Sequence, residues 1–164
     1  MKVFGIIGWK NSGKTYFVQQ IISILSSQNL RVASIKHAHH DFDIDKPDTD
    51  SYLLRKAGSQ QVIISSTKRW AKIYELKNSP EKKLNELINE LENPDVVIVE
   101  GFKNENHPKI EIIKDAQDRS SFMFNNLNNI VALITNIHIE SFAHDQFKKN
   151  QLKQIVEFIL SYKK

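Results

Sequence analysis

The stretch Gly8-Trp9-Lys10-Asn11-Ser12-Gly13-Lys14-Thr15 lies between an apolar run at residues 3–7 (VFGII) and a helical stretch at residues 16–28, and its reading decides the fold. Its spacing, G-x-x-x-x-G-K-[ST], is that of a phosphate-binding loop. The glycines let the backbone curl into a nest whose N–H groups converge on phosphate oxygens. Lys14 adds a mobile positive charge, and the Thr15 hydroxyl is placed to join the shell of a Mg²⁺. The helix that begins around Tyr16 presents its N-terminus, where unpaired N–H groups and the macrodipole favour an anion. Trp9 and Lys10 occupy positions that the motif leaves open.

Outward from the loop, residues 3–7 read as a strand covered on both faces. The helix carries Phe17, Val18, Ile21, Ile22 and Leu25 on one stripe and stops at Asn29. A second strand over residues 31–36 (RVASIK) leads into a polar loop over 37–49, and Asp50-Ser51 open a short helix closed by Gly58. Residues 61–65 and 70–76, joined by Ser66-Thr67-Lys68-Arg69, predict a hairpin. Ser79-Pro80 are the expected start of a helix with Leu84, Leu87, Ile88 and Leu91 on one face, ending at Asn93-Pro94. Strands are expected at 95–100 (DVVIVE), at 109–114 (KIEIIK, half-exposed by its alternation) and at 130–135 (IVALIT). Between them, 115–129 read as a loop with a turn near Phe122–Phe124. A last helix points Leu152, Ile155, Val156, Ile159 and Leu160 inward. This alternation predicts an α/β chain, a P-loop NTPase three-layer fold with a mostly parallel central sheet plus a β-hairpin extension, in a single domain over residues 1–164.

Composition narrows the chemistry. The chain of 164 residues has no cysteine, which excludes disulfides, thiolate metal sites and cysteine nucleophiles. Its net charge of +4, from 23 Lys+Arg against 19 Asp+Glu, is too slight for a nucleic-acid partner. Lys148, Lys149, Lys153, Lys163 and Lys164 read as a solvated surface. Met1-Lys2 before a short apolar run, and the lack of a membrane-length stretch, predict a cytoplasmic protein with no membrane partner.

In a parallel sheet, ligands bind at the carboxyl ends of the strands. Glu100 ends its strand level with the phosphate loop, whereas Asp95 begins the same strand about 16 Å away at ~3.3 Å per residue. Glu100 is therefore the candidate acid, either holding Mg²⁺ with Thr15 or orienting the attacking water, unless it only caps Gly101-Phe102-Lys103. The second strand ends at Lys36, so His37, Ala38, His39, His40, Asp41, Phe42, Asp43, Ile44 and Asp45 fall on the same rim. Three readings stay open for that rim: histidine chelation of a transition metal, contact with nucleotide, Mg²⁺ or a second anionic substrate, or a solvated loop. Asp50, Arg55, Lys56 and Lys103 are further candidates for the rim. Thr135-Asn136-Ile137-His138 lacks the Lys and Asp of the guanine-reading [NT]-K-x-D tetrad, so the local sequence does not choose between GTP and ATP.

Together, the loop, Lys36-His37-Ala38-His39-His40-Asp41-Phe42-Asp43-Ile44-Asp45-Lys46-Pro47, Asp50-Ser51-Tyr52 with Arg55-Lys56-Ala57-Gly58, Val99-Glu100-Gly101-Phe102-Lys103, and Pro108-Lys109-Ile110-Glu111 resemble the MobB family. These are the molybdopterin-guanine dinucleotide biosynthesis adapter proteins. The resemblance implies a homodimer that binds GTP and Mg²⁺, hydrolyses GTP slowly, and assists the molybdenum cofactor guanylyltransferase that joins GMP to molybdopterin. In that reading Lys14 and Glu100 are catalytic, Thr15 and Glu100 hold the metal, and the hairpin with Trp70 is an interface or partner surface. The chain departs from the family pattern at Asp48-Thr49, where Gly-Lys is usual. Two other readings compete: a small-metabolite kinase with Asp41 or Asp43 as base, and a nucleotide-gated metallochaperone using His37, His39 and His40.

Overall fold

A computed structural model of the chain describes residues 1–38 and 41–163. In chain order the elements are β1 (Lys2–Gly8), α1 (Lys14–Ser27), β2 (Val32–Lys36), α2 (Asp50–Lys56), β3 (Gln61–Ser65), β4 (Trp70–Tyr74), α3 (Leu84–Asn89), β5 (Val96–Glu100), β6 (Lys109–Ile112), β7 (Ile130–Ile134), β8 (Asp145–Phe147) and α4 (Leu152–Ser161). Two 3₁₀ turns, Arg119–Ser121 and Met123–Asn125, lie between β6 and β7. They fall where the sequence predicted a loop with a turn. The chain divides into two compact units, Met1–His37 with Leu84–Lys164, and Ala38–Lys83.

The first unit is built on a six-stranded sheet of order β2-β5-β1-β6-β7-β8 in which every neighbouring pair is parallel. β5 shows why both of its faces must be covered. Val96 and Ile98 join the core formed with α1 and α4, while Val97 and Val99 pack with Leu84 of α3 and with Phe102. On the α1–α4 side, Ile21 and Leu25 meet Ile155, Val156 and Ile159 over Phe4 and Ile6. Farther along the sheet, Ile7, Ile113 and Leu133 pack with Phe122, Met123, Ile139 and Phe142. The helices and turns on the two faces of this sheet give the α/β architecture expected from the alternation of elements.

The second unit contains α2 and the antiparallel hairpin β3–β4, in register from Gln61 opposite Tyr74 to Ser65 opposite Trp70. The Ser66 N–H donates to the Arg69 carbonyl at 2.9 Å and closes the turn. Val62 is buried, whereas Ile63, Ile64 and Trp70 are exposed.

Three elements differ from expectation. The helix predicted from Ser79-Pro80 begins only at Leu84, its first buried residue, because the Ser79 N–H closes a separate turn onto the Leu76 carbonyl at 2.8 Å. The strand β8 was unread because only three residues pair with β7, and two of those are polar. Most consequentially, β6 is fully buried rather than half-exposed. It runs between β1 and β7, so both its faces are covered and the polar members of its alternation must be satisfied internally.

They are satisfied through the backbone. Lys109 Nζ donates to the carbonyls of Glu105 at 2.7 Å and His107 at 2.9 Å. The Glu111 carboxylate accepts the N–H groups of Met123 at 2.8 Å and Phe124 at 3.0 Å, which anchors the second 3₁₀ turn. Burial pushes the Lys109 ammonium down and the Glu111 carboxyl up in pKa, and these bonds stabilise the charged forms in return. His107 is buried beside Lys109 with neither ring nitrogen partnered. Burial, reinforced by the Lys109 charge, lowers its pKa to about 4.

Two outcomes follow from these buried groups. Between pH 6.5, the ordinary value for histidine, and about 4, the unfolded chain takes up a proton that folded His107 refuses, so stability falls with pH across that window and levels below it. Thermal melts across this range will show that slope in the wild type and a flatter one in His107→Phe. Glu111→Gln leaves one acceptor oxygen for two N–H groups and turns an amide NH₂ towards one of them, so urea unfolding will show a loss of about 1–3 kcal/mol.

Candidate functional site

β1 ends at Gly8, which pairs with Ile112 of β6. A Cβ on Gly8 would stand 2.6 Å from Ser12 Oγ and 2.8 Å from the Ile112 carbonyl oxygen, so this position admits only glycine. The chain then turns through left-handed conformations at Asn11 (φ 61) and Gly13 (φ 90) and enters α1 at Lys14. The Ser12 N–H donates to the Trp9 carbonyl at 3.1 Å, and the Phe17 N–H donates to the Gly13 carbonyl at 3.1 Å. The result is the strand, nest and helix order that the motif predicts.

Lys14 lies across the mouth of this loop, its Nζ donating to the carbonyls of Gly8 and Trp9 at 2.9 Å each. Desolvation lowers its pKa, and the charge of Glu100 acts in the opposite sense. Ser12 Oγ is buried without a hydrogen-bond partner, a polar atom whose desolvation is uncompensated by the protein. Tyr16 is exposed and meets the Phe17 ring edge-on.

Trp9 is not a free position. Its indole Nε1 donates to the Ser121 carbonyl at 2.7 Å, tying the phosphate loop to the turn before β7. A recess of about 360 Å³ opens there, lined by Trp9, Lys10, Lys114, Ala116, Gln117 and Ser121. The pattern G-x-x-x-x-G-K-[ST] carries no information about such an anchor, which depends on a contact 112 residues away.

Glu100 stands where the strand-end reading put it. In the sheet it lies opposite Ile6 of β1 on one side and Lys36 of β2 on the other. Both carboxylate oxygens are 3.4 Å from Thr15 Oγ1, and Oε1 is 3.4 Å from Lys36 Nζ. Its side chain is 12% exposed. Lys14, Thr15, Lys36 and Glu100 are thus brought together. A hydroxyl beside a carboxylate is the hard oxygen donor set that suits Mg²⁺, with water and phosphate oxygens completing an octahedron. Asp95 is occupied at the far end of the strand: Arg31 donates to it from its backbone N at 2.8 Å, from Nε at 3.2 Å and from Nη2 at 2.9 Å. The guanidinium holds its pKa at about 2.

The other rim candidates are divided between the two units. His37 stacks on Phe102, with centroids 4.5 Å apart and planes at 20°, and its N–H donates to the Glu100 carbonyl at 2.8 Å. This close crossing is possible because Gly101, at φ 95, has no Cβ to strike the His37 Cβ 2.8 Å away. Lys103 is exposed. His39 and His40 lie outside the described residues. Among the described residues, no group of three or more His, Asp and Glu side chains is arranged to hold a metal ion.

Asp41, Asp43, Asp50 and Arg55 belong to the second unit. Asp41 and Asp50 are exposed, and Asp50 opens α2. Arg55 is enclosed: it donates to Asp45 at 3.0 and 2.6 Å, to Asp43 at 2.8 Å, and to Glu75. Three carboxylates around one guanidinium leave a local excess of negative charge, and Arg55 draws the Asp45 pKa down. Lys56 lies over the Tyr52 ring, 5.3 Å from its centroid.

The family model for molybdopterin guanine dinucleotide synthesis protein B, MobB, matches residues 3–136. The chain is similar to the molybdopterin-guanine dinucleotide biosynthesis adapter protein of Escherichia coli (strain K12), at 41% identity over 109 residues. That match covers 65% of this chain but only 62% of the relative, less than two thirds of its length. It is also similar to the adapter protein of the same name from Haemophilus influenzae, at 33% identity over 96% of this chain and 86% of the relative. A crystal structure of a molybdopterin-guanine biosynthesis protein B superimposes with a TM-score of 0.77 and 26% identity, covering 97% of this chain and 98% of that one. No helix among the described residues is long and apolar enough to cross a membrane.

Because the Gly8 contacts include a sheet carbonyl that cannot rotate aside, Gly8→Ala will cost about 1–3 kcal/mol in chemical denaturation.

Proposed function

From the premise that the chain belongs to the MobB family, which residues 3–136 match, we propose that it is a nucleotide-binding adapter in molybdopterin-guanine dinucleotide biosynthesis. It binds GTP with Mg²⁺ and serves the guanylyltransferase that attaches GMP to molybdopterin. The observation that carries this reading is Lys14, its ammonium held over the Gly8 and Trp9 carbonyls at the mouth of the nest, with Thr15 and Glu100 paired beside it.

Each residue has a defined task. The backbone N–H groups of the loop and the first turn of α1 receive phosphate oxygens. The Lys14 ammonium exchanges two carbonyl acceptors for phosphate oxygens, a charge-assisted contact stronger than the ones it leaves. Thr15 and Glu100 are the residues that would hold Mg²⁺, which supplies neutralisation of β- and γ-phosphate charge when bound. Lys36, 3.4 Å from Glu100, adds positive charge to the same rim.

Hydrolysis is slow in this reading. Rapid phosphoryl transfer uses an arginine that reaches the transferring phosphoryl group. Of the four arginines, at 31, 55, 69 and 119, Arg31 is tied to Asp95 at the opposite end of the sheet and Arg55 is held by three carboxylates, so neither of these two is that group. An adapter needs a binding state more than turnover, and a second copy of the chain is the proposed homodimeric partner.

Equilibrium titration of a fluorescent GTP analogue, with and without Mg²⁺, tests the proposal. Lys14→Ala is expected to weaken binding by about 10- to 100-fold, the value of one or two charged hydrogen bonds. Equal affinity in both proteins overturns it. A parallel pull-down with the guanylyltransferase reads the adapter role, and retention independent of GTP and Mg²⁺ would separate partner binding from nucleotide binding.

A further inference from the structure

Three adjacent strands of the first unit each deliver one polar side chain to a single cluster at their carboxyl ends. Asp115 follows β6, Asn136 follows β7 and Lys149 follows β8. Asn136 Nδ2 donates to Asp115 Oδ2 at 3.1 Å, and Lys149 Nζ donates to Asp115 Oδ1 at 2.8 Å. The Lys149 backbone N–H donates to Asn136 Oδ1 at 3.4 Å. The Asp115 side chain is 56% exposed and that of Lys149 is 31% exposed, so the cluster is accessible from solvent. Each carboxylate oxygen carries one of these bonds and keeps capacity for another.

We propose that Asp115, Asn136 and Lys149 read the Watson–Crick edge of guanine in the nucleotide whose phosphates sit in the Gly8–Thr15 loop; the inference rests on the nucleotide-binding reading above. Guanine offers two neighbouring donors, N1–H and the N2 amino group, next to the O6 acceptor. An ionised carboxylate accepts both donors, and with N1–H on Oδ1 the Lys149 ammonium that flanks this oxygen donates to O6, while Asn136 holds Oδ2 from the other side. Adenine would present its N1 lone pair to the carboxylate, leaving two acceptors face to face, which is a repulsive and desolvating contact. The arrangement is therefore selective as well as attractive.

Placement supports the same conclusion. The cluster and the phosphate loop occupy one edge of the sheet, on the side of β1 where ligands bind in open α/β folds. β7 is the second strand along from β1, so the two lie about 10 Å apart at ~4.8 Å per strand, the separation between the phosphates and the base of an extended nucleotide. Residues 135–138 carry neither the Lys nor the Asp of the usual tetrad. Here the acidic group comes instead from the end of β6 and the basic one from the end of β8. An isolated surface ion pair has its geometry set by two long, flexible stems. This carboxylate is short-stemmed, follows a central strand, and is held from two sides.

Competition binding with GTP, ATP and XTP on the intact chain tests the assignment. XTP replaces the N2 amino donor with a carbonyl acceptor, so an asparagine amide satisfies it where a carboxylate does not. Wild type is expected to prefer GTP to ATP and XTP by at least about tenfold. Asp115→Asn is expected to lose about 10- to 100-fold for GTP, gain affinity for XTP, and leave ATP unchanged. Lys149→Ala should weaken GTP and XTP, which share the O6 acceptor, and leave ATP unchanged. If Asp115→Asn leaves the GTP:XTP ratio unaltered in a protein whose triphosphate binding still depends on Lys14, the base-reading assignment falls while the phosphate site stands. If wild type binds none of the three nucleotides, the nucleotide-binding reading itself fails and the assignment with it.

Discussion

The parallel pairing of β1 between β5 and β6 is the constraint on which the site depends. That register sets Ile6 opposite Glu100 and Gly8 opposite Ile112, so the phosphate loop leaves the sheet at the level where the Glu100 carboxylate projects. Thr15, one residue into α1, then meets that carboxylate at 3.4 Å from both oxygens. A slip of one residue would turn Glu100 to the opposite face of the sheet. The pairing of β5 with β2 brings Lys36 to Glu100 from the other side.

β6 is central too, because β7 pairs with the side that β1 leaves open, and this explains the most unusual feature of the core. Lys109, His107 and Glu111 are buried within a few residues of one another. Lys109 and Glu111 are charged groups paired with backbone atoms rather than with each other, so each fixes a loop: Lys109 the segment from Glu105 to His107, and Glu111 the turn at Met123–Phe124. The resemblance-bearing run Pro108-Lys109-Ile110-Glu111 therefore acts on architecture. Lys109 begins β6, opposite Gly5, while the phosphate loop follows the other end of the neighbouring strand.

The turn organised by Glu111 has a consequence for the loop itself. Its upstream neighbour, the turn Arg119–Ser121, supplies the carbonyl that accepts the Trp9 indole N–H. A continuous series of contacts thus connects a buried carboxylate to the phosphate loop. In the second unit a different economy operates, with Arg55 gathering Asp43, Asp45 and Glu75 into one cluster and α2 and the hairpin leaving Ile63, Ile64 and Trp70 exposed.

Local sequence determined what short-range physics controls. The glycine spacing at Gly8 and Gly13 specifies the nest, the apolar stripe of α1 specifies its buried face, and the left-handed stop at Asn29 and the closure at Gly58 appear with φ of 59 and 109. The position of Glu100 was also legible, because a parallel sheet orders its strand ends and the rule needs no contact to be known. What lay beyond the sequence were features created by neighbours distant in the chain. The burial of Lys109 and Glu111 follows from β6 having strands on both sides, which alternation within four residues cannot reveal. The three-residue β8 is a strand only because β7 pairs with it, the anchor on Trp9 comes from residue 121, and Asp115, Asn136 and Lys149 become neighbours only at the ends of adjacent strands. Sequence pattern reports which face of an element is apolar, whereas the partner that covers it, and the polar atoms it must satisfy there, are decided by the assembled sheet.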